Sequence, residues 1–140
     1  MTHSQPKARF LMCAPEHFAV TYAINPWMDP KRWARDDRKF TAASRKEWNR
    51  LHRAIQDLGA VIELVPAVPG LPDLVFTANA AVVLDGKALL ARFRHSERQA
   101  EEPHYEAAFR ALKDRGLMTA VGKLPEGIVL EGAGDCVWDQ

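Results

Sequence analysis

The sequence predicts an α/β fold in which short buried strands alternate with amphipathic helices. Three observations carry that expectation. Residues 41–58 and 96–115 hold helical patterns that stop at Gly59 and Gly116, each followed by a short apolar run. The apolar runs, such as residues 8–14 (ARFLMCA), do not alternate cleanly with polar residues, which suits strands buried on both faces. The order helix, glycine, strand also repeats. Trp48, Leu51, Ala54, Ile55, Asp57 and Gly59 have counterparts 57 positions on, in Tyr105, Ala108, Ala111, Leu112, Asp114 and Gly116. With 140 residues, 47% hydrophobic and 26% charged, the chain has the composition of one compact globular domain.

Taken in order, residues 8–14 form a first strand that ends at Pro15. Residues 15–40 read as irregular, interrupted by Pro15, Pro26 and Pro30. The aromatics Phe18, Tyr22, Trp27 and Trp33 fit either a lid or a loop packed on the body. Residues 41–58 follow as a helix, N-capped by Thr41 or by Ser44 with Glu47 closing a capping box. Trp48, Leu51, Ile55 and Leu58 make its apolar face. Residues 60–65 are a strand and 66–72 (PAVPGLP) a connection. Residues 74–84 read as a second β segment, which the Asp85-Gly86 hairpin signal joins to a partner at 87–93. Residues 96–115 hold the second helix, starting near Pro103, and residues 117–121 and 128–130 are further strands. Each repeat unit is followed by Leu-Pro-acid, first Leu71-Pro72-Asp73 and then Leu124-Pro125-Glu126. Two units and a fraction leave an open sheet edge.

Composition excludes several classes of function. The net charge of +1 gives no global field for nucleic acid or an anionic membrane. No apolar run approaches the roughly 18–20 residues that span a bilayer. Cys13 and Cys136 do not make a disulfide framework, and no Cys/His cluster points to zinc, so a reducing cytoplasm is expected. Neither a P-loop nor a GxGxxG follows a strand, and no metal or cofactor is expected. The charge is uneven, however. Residues 1–60 hold eleven Lys and Arg against six acids, and residues 61–140 hold eight against twelve.

The chemistry falls in the acidic half. Asp73 and Asn79 flank the apolar stretch Leu74 to Ala78, where side chains at element ends reach a cleft. Glu131 and Asp135 bracket two glycines within three residues (Glu131-Gly132-Ala133-Gly134-Asp135), and glycine lets backbone approach a ligand closely. The run 92–102 (RFRHSERQAEE) supplies Arg side chains suited to paired hydrogen bonds with a carboxylate. Acids and an amide suit a guanidinium, which presents five donors in a planar fork. An Arg suits an amino-acid carboxylate. The sum points to an arginine-like ligand. Each feature alone also fits a bland reading: a turn cap, a glycine turn with solvated acids, a solvated helix start.

At these residues the sequence resembles the pentein superfamily of guanidine-modifying enzymes, which includes arginine deiminases, dimethylarginine dimethylaminohydrolases, amidinotransferases and arginine dihydrolases. The resemblance rests on Leu71-Pro72-Asp73 through Asn79, on Arg98, on the Glu131 to Asp135 motif, and on residues 22–28 (YAINPWM). It implies an α/β propeller of five ββαβ-type units around a polar site, of which residues 1–140 hold about two to two and a half. It also implies a Cys nucleophile that attacks the guanidino carbon and a His acid and base.

By matching motif, Glu131 is the acid that grips the guanidinium, and Arg98 binds the substrate carboxylate. Asp73, Phe76, Asn79 and Asp135 line the pocket, joined by Asn25 from the long loop. Asn79 stands where deiminases carry Asp, which resembles the dihydrolases. The family's His and Cys lie well downstream of the acid–glycine motif, and none of His3, His17, His52, His95 or His104 follows Glu131. The expectation is therefore a hydrolase of arginine or an arginine derivative whose nucleophile lies outside these residues, and a 140-residue chain inactive alone. An amidinotransferase, or a non-catalytic domain binding an arginine-like ligand or a partner, is the alternative. The expected partners are an arginine-like substrate and either a C-terminal half or a second copy at the open edge.

Overall fold

A computed structural model describes residues 7–137 and 139. Two small sheets carry the chain. In the first, β1 (Arg9–Cys13) pairs in parallel with β2 (Val61–Val65), in register from Arg9 opposite Val61 to Cys13 opposite Val65. Parallel strands need a crossover, which α1 (Pro30–Arg35) and α2 (Asp37–Asp57) provide. The second sheet has the order β3–β4–β5. Here β3 (Ala81–Leu84) and β4 (Lys87–Leu90) form an antiparallel hairpin, and β5 (Ala120–Gly122) pairs in parallel with β4. The crossover from β4 to β5 runs through α3 (Ser96–Gln99) and α4 (Glu102–Asp114).

The hairpin is where the sequence placed it. Asp85 and Gly86 both take positive φ, 48° and 72°, as a two-residue primed turn requires. Gly59 and Gly116 end the long helices at φ of 82° and 73°. In α4, Tyr105, Phe109 and Leu112 recur at helical spacing and are buried against the second sheet with Leu74, Ala88 and Leu90. The Tyr105 hydroxyl donates to the Leu74 carbonyl at 2.8 Å, so the buried phenol is satisfied.

Four elements differ from expectation. Residues 74–84 are not one strand. Pro72–Val75 and Thr77–Asn79 form two 3₁₀ turns, and the strand begins only at Ala81. The backbone N–H groups of Leu74, Phe76, Asn79 and Ala80 donate to the carbonyls three residues earlier, and Thr77 Oγ1 donates to the Leu11 carbonyl at 2.7 Å. These bonds satisfy backbone groups that a strand ladder would otherwise have paired.

The second difference is α2, which begins at Asp37 rather than Thr41, so Ser44 and Glu47 lie inside the helix and cap nothing. Just before it, α1 starts where Asp29 accepts from the Arg32 N–H at 2.9 Å with Pro30 in the first turn. The third is an addition: α4 begins at Glu102, close to the expected start near Pro103, but a short separate helix, α3, precedes it. The last is residues 128–130, reduced to a single antiparallel bridge between Arg92 and Leu130.

The loop of residues 14–29 is packed rather than open. Phe18 meets Phe76 edge-on at 5.7 Å and Trp33 at 5.2 Å, and Trp33 stacks on Phe40 at 5.3 Å. This row of rings fixes the loop to the first 3₁₀ turns on one side and to α2 on the other.

Candidate functional site

Three 3₁₀ turns assemble the site. The first holds Asp73, the second ends at Asn79, and the third is Gly132–Asp135. The third sits directly on the second. A Cβ at Gly132 would lie 2.5 Å from the Ala78 carbonyl oxygen and 2.6 Å from the Asn79 backbone, and Gly132 has a φ of 70°. Only glycine fits there, on both counts. The two halves of the acidic region therefore meet through backbone.

Asn79 is held from both ends. Its Nδ2 donates to the Glu131 carbonyl at 3.1 Å, and its Oδ1 accepts from Nη1 of Arg98 at 2.9 Å. The amide orientation follows from these partners. One lone pair of Oδ1 and one proton of Nδ2 remain for a ligand. Asp73 is buried. Its Oδ2 accepts from the Tyr22 hydroxyl at 2.9 Å, and its carbonyl accepts from Nη2 of Arg98 at 3.1 Å. Burial, then the Asp73 carboxylate, push the Tyr22 phenol up, so it is the donor in this bond. Tyr22 thus ties the long loop to the site.

Arg98 makes most of its hydrogen bonds within the protein. Its Nε donates to both carboxylate oxygens of Glu101 at 3.1 and 3.2 Å, and its Nη2 donates to Oε2 at 2.8 Å. The guanidinium is buried and lies over the Phe93 ring at 4.3 Å. With Asn79 and the Asp73 carbonyl also bound, only one Nη1 proton is uncommitted. The edge of the fork formed by Nε and Nη2 is closed on Glu101, and the free Nη1 proton is what remains for a ligand.

The remaining expected residues are placed as follows. Glu131 is partly buried, and its Oε1 accepts from the Arg94 backbone N–H at 3.3 Å. Asp135 is exposed, and its Oδ2 accepts from the Glu131 N–H at 2.7 Å, which closes the glycine turn on itself. One oxygen of the Asp135 carboxylate thus holds the turn. Phe76 is exposed at the edge of the 3₁₀ turns and packs on Phe18. Asn25 is exposed, and its Oδ1 accepts from the Trp27 N–H, so its bonds stay within its own turn. Asp73, Asn79, Arg98, Glu131 and Asp135 come together, and Asn25 is not joined to them.

Sequence reasoning missed three participants: Glu101, Tyr22 as a partner of Asp73, and Gly132 as a packing requirement. The spacing of Arg98 and Glu101, three residues apart on a helical stretch, was the available signal for the first.

Acceptors dominate what this arrangement offers: the Glu131 carboxylate, the Asn79 amide oxygen and the Asp73 carboxylate. Acceptors of this kind are chemically complementary to planar N–H donors. Neither thiol completes it. Cys13 is buried in the core, and burial, with the charges of Glu16 and Glu101, pushes its thiol up to about 11. It is a neutral thiol at physiological pH, hence a poor nucleophile. Cys136 follows the glycine turn and is exposed. No cluster of three or more metal-ligating side chains occurs among the described residues.

This α/β arrangement is the fold of the pentein enzymes, here in part. Several of its relatives bear the names of arginine dihydrolases and of a dimethylarginine dimethylaminohydrolase. The chain is 40% identical over 132 residues to the bifunctional arginine dihydrolase/ornithine cyclodeaminase ArgZ of Synechocystis sp., a match covering 94% of this chain and 17% of that protein. It is 38% identical over 129 residues to the N(G),N(G)-dimethylarginine dimethylaminohydrolase of Mycobacterium tuberculosis, covering 91% of this chain and 38% of that one. Among solved structures, a cysteine-to-alanine variant of AgrE from Nostoc sp., in complex with L-arginine, superposes with a TM-score of 0.73 at 38% identity, covering 92% of this chain and 18% of that one. The chain therefore spans well under half the length of these relatives. No protein-family model matches it.

Proposed function

We propose that these residues are the guanidinium-gripping, N-terminal part of a single pentein catalytic domain that hydrolyses a C–N bond at the guanidino carbon of arginine or an arginine derivative. The observation that carries this reading is the Asn79 amide, fixed between Arg98 and the Glu131 backbone, with Asp73 joined to the same network through its main-chain carbonyl. Two carboxylates and an oriented amide oxygen match the donors of a guanidinium.

The mechanism that fits is nucleophilic. A thiolate from outside these residues adds to the guanidino carbon, and Glu131 balances the cation while the adduct forms. The adduct expels ammonia or an amine, leaving an amidino-thiol that water hydrolyses, with a His from the same outside segment moving the protons. An amide at position 79 grips a neutral ureido group as well as a cation, which favours a second round on the first product and hence a dihydrolase.

The described units correspond to about two to two and a half of five. The unpaired edge of the β1–β2 sheet then takes a strand from a further segment or from a second copy. Two free cysteines are compatible with a reducing, cytoplasmic setting.

Ammonia release from L-arginine tests the reading, measured for residues 1–140 and for the protein expressed from its full reading frame. The short chain is expected to be silent and the full one active, with two ammonia molecules per arginine for a dihydrolase and one for a deiminase. A full protein that leaves arginine and methylated arginines untouched would reject it.

A further inference from the structure

Glu101 is wholly buried, with 0% of its surface exposed, and it carries a carboxylate. Taking such a group out of water costs several kcal/mol, and a buried ion pair often contributes no more stability than apolar residues of the same volume. A stabilising role alone therefore accounts poorly for its presence.

What distinguishes this pair is where the other side of Arg98 points. Glu101 occupies Nε and one edge of Nη2, at 2.8–3.2 Å. This turns the opposite edge outward, so that Nη1 meets Asn79 Oδ1 at 2.9 Å and Nη2 meets the Asp73 carbonyl at 3.1 Å. Asn79 passes the contact on to the Glu131 carbonyl at 3.1 Å. The result is one continuous line of hydrogen bonds from Glu101, at the junction of α3 and α4, to the glycine turn on the far side of the site.

We propose that Glu101 is a positioning residue for the guanidino-group reaction: it aims Arg98, and through Arg98 it sets the Asn79 amide that holds the substrate. The proposal rests on the reading given under Proposed function and extends it to a residue that touches no ligand. Glu101 is wholly buried, and the hydrogen bonds of its carboxylate all go to Arg98. Removing its charge leaves Arg98 free to turn toward water or toward Asp73 and releases Asn79 Oδ1.

The test uses the protein expressed from its full reading frame, with Glu101→Gln, Glu101→Asp and, as a control for lost stability, the core variant Leu112→Ala. Glu101→Gln is expected to raise KM for L-arginine roughly tenfold or more, the loss of a charge-assisted contact, with a smaller change in kcat. Glu101→Asp keeps the charge and restores part of the loss. Leu112→Ala lowers the melting temperature and leaves KM near wild type. If folded Glu101→Gln protein keeps the wild-type KM, the residue is structural only and the proposal is overturned. Should Glu101→Gln not fold, Glu101→Asp carries the same comparison.

A second readout does not depend on turnover. The Asn79 side-chain amide resonance, identified by its disappearance in Asn79→Ala, is expected to shift in Glu101→Asp. An unmoved resonance would overturn the proposal whether or not the protein hydrolyses any guanidino compound.

Discussion

The two repeat units of this chain contain the same kind of helix and bury it to very different depths. In the second unit, α4 rests on a three-stranded sheet, with Tyr105, Phe109 and Leu112 buried. In the first, α2 is longer, 21 residues against 13, yet buries none of its residues. Trp48, Leu51 and Ile55 instead face a groove of about 780 Å³, whose other wall includes Phe10, Met12 and Phe109. The difference lies in the sheets. The second unit has β3 folded onto the outer edge of β4, whereas β1 and β2 stand as a pair. Two strands present too narrow a floor for a helix to cover, and a third makes the layer independently stable. A helix's apolar stripe is thus an offer of burial that its sheet must be wide enough to accept.

The largest expected effect tests that contrast directly. Phe109→Ala, in α4, should destabilise the protein by about 3–5 kcal/mol in chemical denaturation, while Leu51→Ala, the same kind of truncation in α2, should cost less than about 1 kcal/mol. Equal losses at the two positions would mean that α2 is packed as tightly as α4, and the contrast would collapse. Gly132→Ala comes next. A left-handed residue with a Cβ driven into the Ala78 and Asn79 backbone should lower stability by about 2 kcal/mol or more, and it should weaken arginine binding in the full protein by moving the Asn79 turn. Amide exchange sharpens the comparison further. The amides of β4 and α4 are expected to exchange close to the global opening rate, and those of α2 much faster.

The smallest effect concerns the ion pairs at the seam between the units. Glu63 in β2 accepts from Arg115, just past α4, at 2.7 and 3.1 Å, and also pairs with Arg9. Hydrogen bonding from Arg115 and the nearby charges hold the Glu63 carboxyl below its ordinary range. Its contribution is therefore present above the ordinary glutamate pKa and fades as the pH falls through the lowered value. The partners reach solvent, so Glu63→Gln should cost under about 1 kcal/mol at neutral pH, and the difference should vanish at high salt or low pH. A loss that persists in high salt would point to packing instead of charge.

Local chemistry decided what the sequence could disclose. Asp85-Gly86, Gly59 and Gly116 were legible because each of those turns demands positive φ and glycine or aspartate supplies it. Leu74 to Ala80 was misread because a run of apolar residues looks the same in a buried strand and in 3₁₀ turns packed on a core. The start of α2 was hidden because its first turns carry no apolar stripe. At the site, the motif residues Asp73, Asn79 and Glu131 were found at the meeting of the 3₁₀ turns. The polar run 92–102 read as solvated surface, however, because two opposite charges that bury each other look like two exposed ones.

The Asn79 side chain carries a consequence for how this site can change over generations. Its Nδ2 proton bridges to the Glu131 carbonyl oxygen, 52 positions away in the chain. An aspartate at position 79, with no proton there, would set oxygen against oxygen. Exchanging amide for acid thus asks the glycine turn to shift at the same moment. Position 79 and the path of the main chain at 131–135 should therefore covary as one heritable unit, and a lineage or a designer that alters one alone inherits a clash of lone pairs.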